Sequence, residues 1–326
     1  MAGQMSCLYE RGDFADLIQQ AAERKSIPNP AIVEKDYFVT EVLRILARDF
    51  GEVVIFKGGT SLSKGWNLID RFSEDIDLYV ARVGNEDETL DRFRAIADAV
   101  GSFPGFARRE GRTDKEGTWN AWTEEFVYEN KVPAIGGIRP NVLLEAGIQS
   151  ADQPTESRDL TSILSQVLDE EGADTGTDDR RPFRMRLLHF RRTFVEKLFT
   201  LHSRVERVVR QNRELERDAR HYYDLAMLLE KEETRKMLET PEYRAICGQY
   251  RAITAEFYSG QVKFLPEGMD LSESPALFPT AELRPILERA YRREAGNLCY
   301  GKFPTFDEIL SGFESIRDDL RLAQGE

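Results

Sequence analysis

Cysteine and histidine are scarce in this 326-residue chain: Cys7, Cys247 and Cys299, and His189, His202 and His221. The cysteines are odd in number and far apart, with no C-x-x-C pair, which fits a reducing compartment and argues against structural zinc. The histidines lack H-E-x-x-H spacing, so each reads as a helix or strand residue before it reads as a metal ligand. No apolar run approaches the roughly 20 residues of a membrane span, and no N-terminal segment has signal-peptide form. A cytoplasmic protein with no membrane partner is the expectation. Positive charge is also in deficit, with 45 Lys and Arg against 58 Asp and Glu and a net charge of −13. That balance discourages a nucleic-acid reading, because affinity for phosphate backbones rests on Lys and Arg. Its distribution qualifies the point: from Arg180 to Arg220 basic residues outnumber acidic ones, which suggests a local basic surface on an acidic protein. A solvated helix face paired with Glu196, Glu206, Glu214 and Glu216 explains the same run equally well. The 41% hydrophobic content is ordinary for a globular chain with real cores, and the length suits two domains.

The chain is organised around residues 53–80, VVIFKGGTSLSKGWNLIDRFSEDIDLYV. Residues 53–56 form an apolar, β-rich run of the kind found inside a sheet. Gly58 and Gly59 permit a sharp turn and a close backbone approach to a ligand. Thr60 and Ser61 place hydroxyls at the expected helix N-terminus, where unpaired N–H groups attract phosphate. In the strand that follows, alternation puts Asp75, Asp77 and Tyr79 on one face and Ile76, Leu78 and Val80 on the core face. Two aspartates on one face repel each other unless a cation sits between them. Mg²⁺ suits them, since it takes one or two carboxylates together with substrate phosphates. A nucleoside-triphosphate site follows from the order strand, Gly-Gly turn, helix, D-x-D strand. A Walker A loop is excluded by Ser63 and Gly65, which stand where Gly and Ser or Thr are required.

Helical periodicity is expected over residues 13–24, 31–50 and 87–100, and strands over 118–128 and 139–148 with a turn at 133–137 between them. Glu145 falls inside an otherwise apolar strand, where an unpaired carboxylate is costly. A role as third metal ligand or proton acceptor beside Asp75 and Asp77 is the favoured reason, and a salt bridge to an Arg or an edge position is the alternative. Residues 172–179, GADTGTDD, read as a linker. Beyond it, 183–190 suits a strand, and 193–209, 215–229, 241–257, 281–295 and 303–322 suit helices. Arg220 and Asp224, four apart on one helix, could pair with each other, an arrangement worth only tenths of a kcal/mol.

KGGTSLSK followed by RFSEDIDL resembles the signature of the AbiEii/AbiGii-type toxins, also called MenT-type nucleotidyltransferases, of the DNA polymerase β-like superfamily. Glu34-Lys35-Asp36-Tyr37 is similar to a stretch of the family's N-terminal helix, 142–147 to its third acidic strand, FVEKL at 194–198 to its lysine helix, and RHYYDL at 220–225 to its last Asp motif. The resemblance implies an α+β fold: a polymerase β-like mixed sheet flanked by helices in a catalytic domain, 1–175, and a mainly helical domain, 176–326, that completes the nucleotide and acceptor site. It implies transfer of a nucleoside monophosphate from an NTP to RNA, the tRNA 3′ end being the acceptor known among relatives, with release of pyrophosphate and arrest of translation. A protein hydroxyl or small-molecule acceptor, or a non-catalytic nucleotide-binding regulator, is the alternative. Carried over by motif, Asp75 and Asp77 would hold Mg²⁺, or Mn²⁺ in its place, with Glu145 as third carboxylate. Lys57, Gly58, Gly59, Thr60 and Ser61 would line the phosphates, with Lys64 and Arg71 as further phosphate contacts. Lys197 and Asp224 would hold the nucleotide from the helical side. Glu145 departs from the Asp more usual at the third acid in the wider superfamily. A toxin also implies a neutralising antitoxin, encoded next door.

Overall fold

The computed structural model describes residues 7–73, 75–109, 119–133, 138–173, 175–258, 264–296, 299 and 301–322. The chain forms two compact units: Met1–Gly65, Glu74–Ile148 and Thr155–Leu187 make the first, and Trp66–Ser73, Gln149–Pro154 and Leu188–Glu326 the second. The units are therefore not consecutive pieces of chain, a feature that no shift in composition marks.

The first unit is built on a mixed sheet. Its strands are β1 (Val54–Lys57), β2 (Asp75–Val80), β3 (Phe106–Arg108), β4 (Ala121–Tyr128), β5 (Asn141–Gly147), β6 (Thr155–Leu160) and β7 (Phe183–Leu188), in the order β3-β4-β5-β2-β1-β7-β6. The central strand β2 pairs antiparallel with β1 and parallel with β5, with Asp77 opposite Lys57 on one side and Glu145 on the other. Ile76, Leu78 and Val80 are buried and alternate with half-buried Asp75, Asp77 and Tyr79, as a two-residue period requires.

Helices α1 (Phe14–Arg24), α2 (Pro30–Phe50), the single turn α3 (Gly58–Thr60), α4 (Glu86–Gly101) and α5 (Ile163–Glu170) complete this unit. Helix α2 starts with Pro30 in its first turn while the Asn29 side chain accepts from Ala31 N, so an N-cap and a preset φ fix where it begins. The α3 turn continues into a π-helical turn, Ser61–Gly65. Strands β3 and β6 and helix α5 carry no sequence signal strong enough to be expected. Of β6, TESRDL, only Leu160 is buried, so it has no apolar alternation to read. The stretch read as a linker is tied into this unit: the buried Asp179 carboxylate accepts from Leu8 N at 2.7 Å and from the Tyr37 hydroxyl at 2.6 Å. Most of the turn expected at 133–137 falls outside the described residues.

The second unit is helical: α6 (Phe190–Gln211), α7 (Arg220–Leu229), α8 (Glu232–Leu238), α9 (Pro241–Phe257), α10 (Arg284–Gly296) and α11 (Phe306–Glu314). Helix α6 stops where Asn212 takes a left-handed φ of 51°, a conformation Asn tolerates better than most residues. Tyr222 of α7 packs edge-on against Tyr291 and Phe306, and its hydroxyl donates to Ala276 O. Among the described residues no helix is long and apolar enough to cross a membrane.

Candidate active site

The glycine turn and the acidic strand lie against each other at Gly58 and Asp77. Gly58 has φ +76°, and a Cβ there would lie 1.9 Å from Asp77 Oδ2. Only glycine supplies that backbone conformation without strain while leaving room for the carboxylate. The hydroxyls expected to face a phosphate are turned inward: Thr60 Oγ1 donates to Asp75 O at 2.5 Å and Ser61 Oγ to Gly58 O at 2.9 Å. Both side chains are buried. They therefore tie the turn to β2 and to itself, leaving the glycine backbone as the part of the loop beside Asp77.

Glu145 lies opposite Asp77 on one side of β2, and Lys57 of β1 lies opposite Asp77 on the other. Although the Glu145 residue is exposed, partial desolvation beside Asp77 and Asp75 pushes its carboxyl up to about 7, with Lys57 opposing. Carboxylates crowded in this way suit a cation. Among the described residues, however, no three His, Cys, Asp or Glu side chains form a ready-made metal cage. The donor set thus fits an ion such as Mg²⁺, which relies on one or two carboxylates and completes its shell with water and substrate phosphates.

Lys64 and Arg71 are both engaged inside the protein. Lys64 Nζ donates to Asp36 Oδ1 at 2.6 Å and to Thr161 O at 3.1 Å. Arg71 forms a bidentate pair with Asp224, Nε to Oδ1 at 2.6 Å and Nη2 to Oδ2 at 2.8 Å. Lys197 Nζ completes the cluster in the second unit, 2.8 Å from Asp224 Oδ2. Asp224 is 0% exposed and Arg71 1%. Asp224 therefore bridges Arg71 and Lys197, in contrast to the i,i+4 pair with Arg220 that the helix spacing allows. Burial alone would raise the Asp224 carboxyl, but Arg71 and Lys197 hold it well below the usual carboxylate range. Burial and Arg71 lower the Lys197 ammonium against the pull of Asp224. His221 Nδ1 lies 3.2 Å from Lys197 Nζ, and burial together with Lys197 pushes the imidazole down to about 3, leaving it neutral at pH 7. Two cations and one anion give the cluster a net positive charge.

Four residues that the sequence marks only by resemblance each hold a different segment to α2. Glu34 accepts from Lys131 N at 2.6 Å, and Lys35 donates to Arg139 O at 3.1 Å. Asp36 receives Lys64, and the Tyr37 hydroxyl donates to Asp179. The basic run from 180 to 220 is largely paired: Arg180 with Asp169, Arg191 with Glu233 and Glu242, Arg192 with Glu196, Arg204 with Asp218 and Arg210 with Glu206. Arg213 and Arg217 are exposed.

No curated protein matches the chain. In solved structures it is similar to MenT4, a nucleotidyltransferase toxin of Mycobacterium tuberculosis H37Rv, with a TM-score of 0.49, 16% identity and coverage of 94% of this chain and 96% of that one. The model of the family described as nucleotidyl transferase AbiEii toxin, type IV toxin–antitoxin system, matches residues 44–312. Matched over well over half its length, the chain belongs to the AbiEii family of nucleotidyltransferase toxins.

Proposed function

We propose that the chain is a Mg²⁺-dependent nucleotidyltransferase that moves a nucleoside monophosphate from an NTP to RNA, with the tRNA 3′ end as acceptor, and so blocks translation. The carrying observation is the contact of the Gly58 turn with Asp77, which puts backbone able to approach a phosphate next to a carboxylate able to hold its metal. An acceptor hydroxyl oxygen attacks the α-phosphorus, the bond from that phosphorus to the α,β-bridging oxygen breaks, pyrophosphate departs with the bridging oxygen, and the hydroxyl proton passes to solvent. Mg²⁺, or Mn²⁺ in its place, supplies charge neutralisation at the phosphates when bound. Asp75 and Asp77 would hold the metal. Glu145, beside Asp77 across the β2–β5 pairing, would be the third carboxylate near that ion. Lys57 and the backbone of Gly58 and Gly59 steady the phosphates, while Thr60 and Ser61 keep that backbone in place. Within the second unit, the net positive charge of Arg71, Lys197 and Asp224 suits a phosphate approaching Lys197, whose side chain is largely buried. The toxin works in the cytoplasm and is countered by an antitoxin encoded next to it.

Purified protein incubated with each labelled NTP, Mg²⁺ and total tRNA is expected to label the RNA. Asp77→Ala is expected to abolish labelling while the circular dichroism spectrum stays native. Absence of label with every NTP and with both metals would refute the proposal. The net charge of −13 and the ion pairing along residues 180–220 favour a second reading, transfer to a protein hydroxyl or small molecule. Label found in protein or in a low-mass product instead of RNA would select it.

A further inference from the structure

The π-helical turn Ser61–Gly65 is an uncommon geometry that persists only where its surroundings enforce it. Its basic residue, Lys64, has 7% of its side chain exposed, and its ammonium is held by Asp36, a residue 28 positions earlier on α2. Asp36 uses its two oxygens for different segments. Oδ1 takes Lys64, while Oδ2 accepts from Ile163 N at 2.7 Å, the first backbone N–H of α5. Thr161 O, two residues earlier, accepts from the same ammonium at 3.1 Å. The Asp36 carboxylate therefore joins three elements: α2, the loop after β1, and the start of α5.

We infer that Asp36 is a positioning residue for the nucleotide loop, acting through Lys64 to fix residues 58–65 against β2. This rests on the reading of Gly58–Ser61 as the phosphate loop. Thr60 Oγ1 anchors the front of the loop to Asp75 O, and the Asp36–Lys64 pair anchors its back. The Gly58 backbone, set against Asp77, lies between strand β1, paired to β2, on one side and these two anchors on the other. A loop held at both ends presents its backbone to the phosphates without first having to be ordered. Loss of the rear anchor should therefore weaken NTP binding more than it slows the chemical step.

Asp36→Asn separates the two functions of the carboxylate, because the amide oxygen can still accept from Ile163 N while the charge that holds Lys64 is gone. In hydrogen exchange of the full chain, amides 61–65 of this variant are expected to exchange about tenfold faster than wild type, with β4 and β5 unchanged. In transfer assays KM for NTP is expected to rise about tenfold with kcat within about threefold. Lys64→Met is expected to give the same pattern, and the double variant to be no worse than either single one, since both remove one interaction. A merely structural role would lower the melting temperature and the active fraction but leave KM unmoved. Unchanged exchange in Asp36→Asn would overturn the inference. So would a Lys64→Met defect far larger than that of Asp36→Asn and additive with it, because Lys64 would then contact the phosphates itself. If wild type neither binds nor transfers any NTP, the nucleotide reading fails instead, and the exchange arm alone decides whether Asp36 clamps the loop.

Discussion

Removing the Asp224 carboxylate should cost far more than its place on a helix surface pattern suggests. As an i,i+4 partner of Arg220 it would contribute a few tenths of a kcal/mol. Instead it is fully buried between Arg71 and Lys197. Asp224→Ala leaves two buried cations facing each other with no anion, and breaking a buried pair in this way costs about 3–5 kcal/mol. Lys197→Met is the informative contrast. It removes the second cation and leaves Arg71 and Asp224 as a neutral bidentate pair, so its cost should stay within about 1 kcal/mol once side-chain packing is retained. Urea unfolding of the full chain, followed by tryptophan fluorescence, reads both. With a slope of about 3 kcal/mol per molar, Asp224→Ala should lower the midpoint by about 1 M or more, and Lys197→Met by about 0.3 M or less. A loss below about 1 kcal/mol for Asp224→Ala, or equal losses for the two variants, would refute the charge accounting. The contrast also decides how activity data are read. Inactivity of Asp224→Ala is confounded by unfolding, whereas inactivity of a stable Lys197→Met variant assigns Lys197 to the chemistry.

Gly58→Ala should keep the fold and lose function: the new Cβ forces Asp77 to move by about an ångström or more, and displacements of that size cost about 100-fold in rate. Retention of more than half of wild-type kcat by a natively folded Gly58→Ala variant would show that Asp77 need not sit against the turn. Glu41 gives a pH prediction. Burial raises its carboxyl from 4.5 to about 7, with Arg44 opposing and Asp179 adding to the rise. Between those values the native chain keeps a proton that the unfolded chain has shed, so stability contributed by Glu41 is full below about pH 4.5, falls as pH rises, and is lost above about pH 7. The loss is about 3 kcal/mol. Glu41→Gln should therefore flatten the fall in unfolding free energy measured between pH 5 and pH 8, and an identical slope in both proteins would refute the assignment.

The central motif was legible because its information is local. A two-residue period separates Asp75 and Asp77 from Ile76 and Leu78, and adjacent glycines mark the turn. The register that brings Glu145 beside Asp77 is less local, and it was readable only as an acid out of place in an apolar strand. What stayed hidden are pairings between distant positions: Asp36 with Lys64, 28 residues apart, and Asp224 with Arg71, 153 apart. Spacing rules weigh a charge against its neighbours within a turn, so they name neither Asp36 for Lys64 nor Asp224 for Arg71. Strand β6 and helix α5 escaped for a different reason. They are short, and β6 holds its place at the sheet edge with one buried side chain.

One signal in the sequence could have exposed part of this. The apolar residues of α2, Ile32, Val33, Tyr37, Phe38, Val42, Leu43, Ile45 and Leu46, occupy more than the stripe of about 100° that a surface helix buries. A helix apolar over that much of its circumference is enclosed, and charged residues on it must then be paired, since an isolated buried charge would cost several kcal/mol. Glu34 and Lys35 are accordingly buried, at 0% and 1% exposure, and with Asp36 and Tyr37 they reach four separate segments. Three consecutive charged residues on an enclosed helix are therefore evidence for partners elsewhere in the chain even when spacing cannot name them. Here those partners include the lysine of the loop proposed to bind the nucleotide.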